Sequence, residues 1–260
     1  MTAMAAAYSA TAAAWARGPA RIYDALAEVL VARSPLTLDG RRVLDVGAGT
    51  GAAGRAARAA GAGEIVAVDA ALGMLAHDAA ARPPAVAGEA LALPFATSTF
   101  DAALAAFALN HLTEPAAGLH EMARVTRPGG VLLAASYAAD DTHPVKDAVN
   151  GALSASGWVA EPWYTALQAD AIPLLATPEG CAAAAHRAGL DARVEAVRVT
   201  LPDLDAADLV AWRLGMAQYG PFVTRLPPGD RRALVADAMN RLGEAPPLVR
   251  SIVVLTAVSR

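Results

Sequence analysis

The chain has 260 residues, of which 55% are hydrophobic, a size that suits one large domain or one domain with a lid. Lys and Arg number 21 against 25 Asp and Glu, and a net charge of −4 argues against nucleic acid as the main partner. The single cysteine, Cys181, excludes an internal disulfide and a cysteine-based metal site. The sequence shows neither a signal peptide nor an apolar run that could span a membrane, so we expect a soluble cytoplasmic protein.

The first segment, residues 5–33, predicts one or two helices because its apolar and aromatic residues recur at roughly helical spacing. The sequence Arg17-Gly18-Pro19 marks a break inside this segment. Proline suits the first turn of a helix, so a second helix is expected to begin at Pro19.

The stretch Val43–Gly51 is typical of a buried strand that runs into a glycine-rich turn. Gly47, Gly49 and Gly51 alternate with small residues, so the backbone can bend sharply and approach a ligand closely. A helix is predicted from about residue 52 to residue 60. Strand, glycine loop and helix together predict the opening of a nucleotide-binding βαβ unit.

Strands and helices then alternate as far as residue 136. Further strands are predicted at residues 64–69, 85–88, 102–109 and 131–136, and helices at residues 71–81 and 114–125. This spacing predicts a doubly wound, parallel α/β sheet with right-handed crossovers. Ligands of such sheets bind outside the carboxyl ends of the strands. The residues predicted at those ends are Asp45, Gly47 to Gly51, Asp69, Glu89, Asn110 and His111.

The regular alternation lapses after residue 138. Helices are predicted at residues 145–154 and 178–188, the second with Thr177 as its N-cap and Pro178 at its first position. Residues 203–240 are predicted to be helical, with interruptions at Gly220-Pro221 and Pro227-Pro228-Gly229. Strands are predicted at residues 193–201 and 250–259.

Asp45 discriminates between two kinds of nucleotide. Residues 47–52 satisfy the dinucleotide pattern GxGxxG/A, so that pattern alone allows a dinucleotide. However, a carboxylate two residues before the first glycine repels a pyrophosphate and attracts a cationic ligand. S-adenosylmethionine carries an ammonium and a sulfonium group and no phosphate, so Asp45 favours it.

Several segments resemble a known family. Val43–Gly51 resembles motif I of the class I S-adenosylmethionine-dependent methyltransferases. Gly88–Phe95 with Ser98–Asp101 resembles the GDAxxLPF…SFD stretch of their UbiE-like small-molecule branch, and Glu121–Leu132 resembles its ExxRVLKPGG segment. The similarity is dense over residues 40–136. It implies a mostly parallel, seven-stranded Rossmann-like sheet with an antiparallel last strand and helical lid segments.

The resemblance also implies the ligands and their contacts. S-adenosylmethionine would be the cofactor, S-adenosylhomocysteine the product and a small molecule the methyl acceptor. Asp69 matches the acidic residue that holds the ribose hydroxyls. Glu89 replaces the usual Asp at the adenine amino group, so either Glu89 or the Ala90 backbone makes that contact. The expected cofactor-binding residues are Asp45, Gly47, Ala48, Gly49, Gly51, Asp69, Ala70, Glu89, Ala90 and Asn110, with loop capping as the alternative role of Asp45 and Asp69.

Methyl transfer from a sulfonium is an in-line displacement, so positioning supplies much of the catalysis. A general base is needed only if the acceptor loses a proton. His111 is the candidate for base or orienting residue; alternatively, it caps the strand or contacts the cofactor. Asn110 either binds a ligand or terminates the strand. His143 is interpreted as part of a solvated loop, and no metal is expected.

Aromatic residues outside the predicted core are candidates for covering the site. Tyr8, Trp15 and Arg17 either form a flap over the cofactor or pack the N-terminal helices. A second set predicts an apolar or aromatic acceptor pocket, with core packing as the alternative: Trp163, Tyr164, Trp212, Tyr219 and Phe222. The expected organisation is N-terminal helices or flap over 1–39, cofactor-binding core over 40–137, lid insertion over 138–192, and the rest of the same domain over 193–260.

Rival functions make different demands on the sequence. An oxidoreductase using NAD(P) is disfavoured because Lys146, the only lysine, has no Tyr four residues before it. A nucleic-acid methyltransferase is disfavoured by the acidic balance and by Ala108-Leu109-Asn110-His111 at the fourth strand, where an Asn/Asp-Pro-Pro-aromatic motif would stand. A cofactor-binding cyclase or structural protein that transfers no methyl stays open. So do the methylated atom (O, N or C), the oligomeric state and a role in secondary metabolism.

Overall fold

The structure is a computed structural model that describes residues 2–80, 82–201 and 203–260. One sheet forms its centre, with strands β1 (Arg42–Val46), β2 (Glu64–Asp69), β3 (Ala85–Ala87), β4 (Phe100–Ala106), β5 (Thr126–Tyr137), β6 (Ala192–Leu201) and β7 (Leu248–Val258). Their order across the sheet is β3-β2-β1-β4-β5-β7-β6. β7 runs antiparallel to both its neighbours, whereas the other pairs are parallel. The predicted doubly wound sheet with an antiparallel last strand is confirmed.

Helices pack on both faces of this sheet. They are α1 (Ala3–Arg17), α2 (Pro19–Val31), α3 (Ala52–Ala59), α4 (Leu72–Ala76), α5 (Pro115–Val125), α6 (Pro144–Ala155), α7 (Pro162–Ala166), α8 (Pro178–Arg187), α9 (Ala206–Leu214), α10 (Gly220–Arg225) and α11 (Pro228–Leu242). Side chains of a strand alternate between faces, so Val43 joins the core under α2, α3 and α6 while Leu44 joins the core under α5 and α8. Within the described ranges, no helix is long and apolar enough to cross a membrane.

The N-terminal break falls where the sequence predicts it. α2 begins at Pro19, and Gly18 separates it from α1. A side chain at Gly18 would not fit, because its Cβ would lie 2.5 Å from the carbonyl oxygen of Ala211 on α9. The same kind of agreement holds at Thr177, whose hydroxyl accepts the Gly180 N–H at 3.1 Å and caps α8.

Two elements beside the ligand-binding edge differ from the prediction. The helix predicted over 71–81 ends at Ala76, and Asp78 then takes a positive φ of 51°; Ala81 lies outside the described residues. The fourth strand ends at Ala106 rather than at residue 109, because Phe107 has a φ of 60° and turns the chain. Leu109–His111 therefore forms a 3-10 turn.

The C-terminal half also differs in detail. β5 begins at Thr126, five residues earlier than predicted, and takes in Pro128-Gly129-Gly130 through an irregular register with β4. Gly220-Pro221 and Pro228 begin helices α10 and α11 instead of interrupting helices. Proline at a first helical turn lacks only an N–H that would have no partner there, which accounts for both starts.

Candidate functional site

A cavity of about 620 Å³ lies at the carboxyl edge of the sheet, the edge at which the parallel strands end. α1 and the segments after β5 also contribute to its wall. Most residues predicted for a site line this cavity: Tyr8, Trp15, Asp45, Gly47, Ala48, Gly49, Asp69, Ala70, Glu89, Ala90, Asn110, His111, Tyr164 and Trp212. Residues chosen from distant parts of the sequence therefore converge on one space.

Five predicted site residues do not line the described cavity. Gly51 has a φ of 92° and forms the N-cap of α3. Arg17 is exposed in the last turn of α1, and Trp163 is half-buried on α7. Tyr219 is 2% exposed and packs behind the wall, where its hydroxyl donates to Asn150 Oδ1 at 2.7 Å. Phe222 is half-buried on α10 and packs against the core. For these five, the structure shows capping, exposure or packing in place of a position on the cavity wall.

The glycine loop is held tightly at one position and open at another. Gly47 has a φ of 65°, and a Cβ there would lie 2.3 Å from the Ala108 Cβ. Gly49 has a φ of 54°, yet no described heavy atom outside its immediate neighbours lies within 4 Å of the position its Cβ would take. The loop backbone is thus pressed against Ala108 on one side and free for close approach by a ligand at Gly49.

Asp69 fixes the conformation of this loop. Its Oδ2 accepts the Gly49 N–H at 2.7 Å, and its Oδ1 accepts the Ala71 N–H at 2.7 Å. Burial raises the pKa of Asp69, while these two backbone donors oppose the rise. A carboxylate oxygen can accept more than one hydrogen bond, so both oxygens retain capacity for ligand hydroxyls. Loop capping and ligand binding are therefore compatible roles.

Asp45 is the most buried carboxylate on the cavity wall. It is 2% exposed, and its Oδ2 accepts the Gly54 N–H of α3 at 2.8 Å. Burial raises the pKa of Asp45 to about 7. Glu89, in contrast, is exposed at the rim of the same cavity. A cationic ligand group inside the cavity would find carboxylates at this end, as the position of Asp45 in the sequence predicts.

The turn after β4 carries Asn110 and His111, and it places His111 against Tyr8 of α1. The Tyr8 hydroxyl lies 3.1 Å from Nε2 of His111. Burial lowers the pKa of His111 to about 4, so the imidazole is neutral near pH 7. Asn110 is 7% exposed, and its Oδ1 has no hydrogen-bond partner among the described residues. An orphaned buried acceptor beside the cavity is suited to a ligand N–H or O–H.

His143 does not lie in a solvated loop. It is 8% exposed and forms the N-cap of α6, where its Nδ1 accepts the Val145 N–H at 3.2 Å. Its Nε2 lies 3.1 Å from the carbonyl oxygen of Pro246, which requires an N–H at Nε2. In the part of the chain that the structure describes, no group of three or more His, Cys, Asp or Glu residues could hold a metal ion.

Sequence reasoning missed an aromatic wall. Phe107 and Tyr137 stack with ring centroids 4.5 Å apart, and the Tyr23 ring meets Phe107 edge-on at 5.4 Å. All three line the cavity. Tyr137 ends a strand at the ligand-binding edge, which is a signal that the sequence contains. Phe107 is placed by its positive φ, for which a bulky residue gives no signal.

Sequence reasoning also missed four charged residues on the wall, Asp141, Lys146, Arg213 and Arg250. Arg250 was a usable signal, because it is the only charged residue of the last strand, β7, which is mostly apolar. Lys146, as the only lysine of the chain, was noted solely for the absence of a tyrosine before it.

Comparisons with known proteins agree with this geometry. Residues 44–134 match the family described as a methyltransferase domain. A demethylmenaquinone methyltransferase of Renibacterium salmoninarum is 46% identical over 107 residues, which cover 40% of this chain and 43% of that protein. The chain spans about half the length of the curated relatives it matches.

Solved structures share the fold at low identity. A putative methyltransferase from an antibiotic biosynthesis pathway of Anabaena variabilis superposes with a TM-score of 0.57 at 18% identity, covering 90% of this chain and 96% of the other. The cyclase SpnF superposes with a TM-score of 0.53 at 22% identity, covering 90% and 80%. The fold is therefore shared by proteins with different chemistry.

Proposed function

We propose that the chain is a class I S-adenosylmethionine-dependent methyltransferase of the UbiE-like branch and that it transfers a methyl group to a small-molecule acceptor. The observation that carries this proposal is the division of one cavity into two ends. Asp45, Asp69 and the glycine loop line one end, while aromatic rings from α2, the turn after β4, β5 and α9 line the other. Two ligands can thus lie side by side in one cavity.

The cofactor end fits the expected group. Asp69 would hold ribose hydroxyls, Asp45 would face the cationic amino acid part, and the open side of Gly49 would allow close approach. Asn110 offers a buried acceptor that lacks a partner within the described chain. S-adenosylmethionine, when bound, supplies a methyl group that its sulfonium has already activated for displacement.

The residues of the chain then have positioning tasks. α1 covers the cavity with Tyr8, which keeps His111 in place across a 3.1 Å contact. Burial keeps the His111 imidazole neutral near pH 7, so the ring has an unprotonated nitrogen that can accept a hydrogen bond from an O–H or N–H group. We therefore assign His111 the role of base or orienting residue for the acceptor, and Tyr8 the role of the residue that holds the imidazole in place.

The acceptor end favours an apolar or aromatic molecule. Tyr23, Phe107 and Tyr137 present ring faces and edges to the cavity, and Trp212 lies beyond them. Aromatic walls stabilise flat, apolar ligands through stacking and burial of apolar area. Relatives named demethylmenaquinone methyltransferases are consistent with an acceptor of this general kind.

Calorimetry with S-adenosylhomocysteine tests the cofactor assignment. We expect micromolar binding, and at least a tenfold loss in Asp69→Ala, because that variant removes the acceptor of two loop N–H groups. Asp191→Ala is the matched control, since the Asp191 side chain is 84% exposed. Binding of NADH without binding of S-adenosylhomocysteine would overturn the assignment.

A non-transferring cyclase is the second candidate, because the cyclase SpnF has the same fold. Incubation with methyl-labelled S-adenosylmethionine and a panel of aromatic metabolites separates the two functions. Label in a product supports methyl transfer. A converted product that carries no label, formed only when the cofactor is bound, supports the cyclase.

A further inference from the structure

Four charged residues form a cluster in the cavity wall beside β5 and β7, which we call the charged cluster. Asp141 Oδ2 accepts from Arg250 Nη2 at 2.9 Å and from Lys146 Nζ at 2.7 Å. Asp141 Oδ1 accepts the Ser251 N–H at 2.9 Å. The fourth member, Arg213, donates to the Tyr219 hydroxyl at 3.0 Å. The cluster therefore contains three cations and one carboxylate.

The guanidinium groups of the charged cluster are buried and incompletely paired. Arg250 is 2% exposed and Arg213 is 7% exposed. Arg250 Nε, Arg250 Nη1 and Arg213 Nε have no hydrogen-bond partner among the described residues. Donors on a buried charged group are costly when they are left unpaired, more so than those of a neutral group. A ligand that brings acceptor oxygens would remove this cost.

Aromatic rings hold Arg250 in a fixed plane. Its guanidinium carbon lies 4.2 Å from the centroid of the Tyr137 ring and 4.6 Å from that of Trp212. Arg213 lies 5.5 Å from the Trp212 centroid and 5.3 Å from that of Tyr219. Because the faces of the Arg250 guanidinium are covered, its edge is the part left for a polar partner. A planar fork of N–H groups matches the two oxygens of a carboxylate.

The charges of the cavity are separated by sign along the sheet. Asp45 and Asp69 lie at the ends of β1 and β2, whereas Arg250 lies on β7. In the order of the sheet, β2 and β7 are four strand spacings apart, roughly 20 Å. Carboxylates therefore line the cofactor end, and an excess of cationic side chains lines the acceptor end.

We propose that the acceptor carries a carboxylate on its aromatic or apolar body, and that Arg250 and Arg213 bind this carboxylate. This inference rests on the proposed function, because it assumes that the cavity binds a methyl acceptor, and it adds the chemical class of that acceptor. It assigns Arg250 and Arg213 as specificity-determining residues. The aromatic wall accommodates the body of the molecule, while the charged cluster selects the anion and rejects neutral analogues.

A pair of matched probes tests the proposal without knowledge of the natural acceptor. The affinities of 2-naphthoate and 2-naphthamide, which differ in charge and hardly in shape, are measured by calorimetry with and without S-adenosylhomocysteine. We expect the wild-type protein to bind naphthoate at least tenfold more tightly than naphthamide. Arg250→Met should reduce that preference to less than threefold, and Arg213→Met should reduce it in part.

Controls separate binding from folding and from the cofactor assignment. Arg193→Met, at a side chain that is 80% exposed on β6, should keep the full preference, and Arg250→Lys should keep part of it. Circular dichroism checks that each variant is folded, and Arg213→Met carries the test if Arg250→Met does not fold. Equal affinity for both probes in the wild type, binding of neither, or an undiminished preference in both folded Met variants would overturn the proposal. Loss of S-adenosylhomocysteine binding alone would instead count against the proposed function, because the probes are also titrated without it.

Discussion

The hydroxyl of Tyr8 lies 3.1 Å from Nε2 of His111, and this contact joins the first helix of the chain to the turn that follows β4. Their rings meet edge-on at 5.5 Å, and Trp15 packs on the other side of Tyr8 at 5.6 Å. The candidate base is thus covered by a helix that precedes the sheet in the chain. One hydrogen bond links Tyr8 of this helix to His111, so substitution of either residue should affect the other.

His111 makes stability depend on pH in a predictable direction. Its pKa is lowered to about 4 in the folded chain against 6.5 for an ordinary histidine, so the unfolded chain binds the proton more readily between these values. The stabilisation is therefore complete above pH 6.5 and is lost as the pH falls to about 4. Between pH 7 and pH 5, on the order of 2 kcal/mol is expected to disappear. Urea unfolding of wild type and His111→Gln at pH 7 and pH 5 measures it, and a constant difference between the two proteins would contradict it.

Substitutions of His111 and Tyr8 should lower the catalytic rate to different degrees. We expect His111→Gln to lower kcat by about 100-fold, because it removes the imidazole that orients or deprotonates the acceptor, and Tyr8→Phe by about tenfold, because it removes only the hydroxyl that holds the imidazole. Affinity for S-adenosylhomocysteine should change less than about twofold in both. Steady-state kinetics with an acceptor from the labelled screen measures this, and a KM effect with unchanged kcat would assign both residues to binding alone.

Asp45 predicts pH-dependent cofactor binding. Burial raises the pKa of Asp45 to about 7 in the free chain, and a cationic ligand group favours its ionised form. Binding at pH 6 should therefore release a proton, and affinity should rise with pH until about 7 and then level off. Asn at this position can still accept the Gly54 N–H, so Asp45→Asn should fold, bind about tenfold more weakly and lose this pH dependence. Calorimetric titrations with S-adenosylhomocysteine in two buffers of different ionisation enthalpy measure the number of protons released. Equal affinity of the wild type for S-adenosylhomocysteine at pH 6 and pH 8 would refute the assignment.

Two glycines of the loop should respond differently to alanine. In Gly47→Ala the new Cβ would lie 2.3 Å from the Cβ of Ala108, so this variant should lower the free energy of unfolding by about 3 kcal/mol. In Gly49→Ala the new Cβ would have no described atom within 4 Å outside its chain neighbours. Only the strain of a positive φ remains, so the free energy of unfolding should fall by about 1 kcal/mol. The main effect of Gly49→Ala should be on S-adenosylhomocysteine affinity, because the methyl group occupies the open side of the loop. Thermal unfolding and calorimetry on both variants distinguish these outcomes; equal destabilisation by the two would contradict the distinction.

Alanine substitutions of Trp212 and Trp163 should have different effects on stability and on ligand affinity. Trp212 is 1% exposed and lines the cavity, so Trp212→Ala should destabilise the chain by about 3–5 kcal/mol. Trp163 is half-buried and is not part of the described cavity wall, so Trp163→Ala should cost less than about 1 kcal/mol and leave 2-naphthoate affinity unchanged. A strong effect of Trp163→Ala on naphthoate binding would place α7 over the acceptor in solution.

The cofactor end could be predicted from the sequence because its signals are local. Val43–Val46 is apolar except for Asp45 and is followed by glycines, and the apolar run Ile65–Val68 is followed by Asp69. Strand, turn and ligand-binding edge are therefore all encoded within a few residues. Where the signals were misleading, the reason is equally local. Phe107 and Asp78 take positive φ values that tertiary packing imposes and that neither side chain announces.

The acceptor end could not be predicted, because its parts meet only in the folded chain. Asp141 follows β5 while Arg250 lies on the last strand, and no spacing rule relates them. Lys146 lies on α6 and Arg213 on α9, two helices far apart in the sequence. Their individual polarity was visible in the sequence, but their convergence was not.

The direction of β7 has a consequence for how such chains diversify. A parallel strand brings its last residue to the ligand-binding edge, whereas antiparallel β7 brings its first residues there, and Arg250 is among them. The family match ends at residue 134, before Tyr137 and every member of the charged cluster. Substitutions can accumulate in the later segments while the cofactor end stays intact. Chains that share residues 44–134 therefore need not share a methyl acceptor, and exchange of those later segments between relatives is a rational route to new specificities.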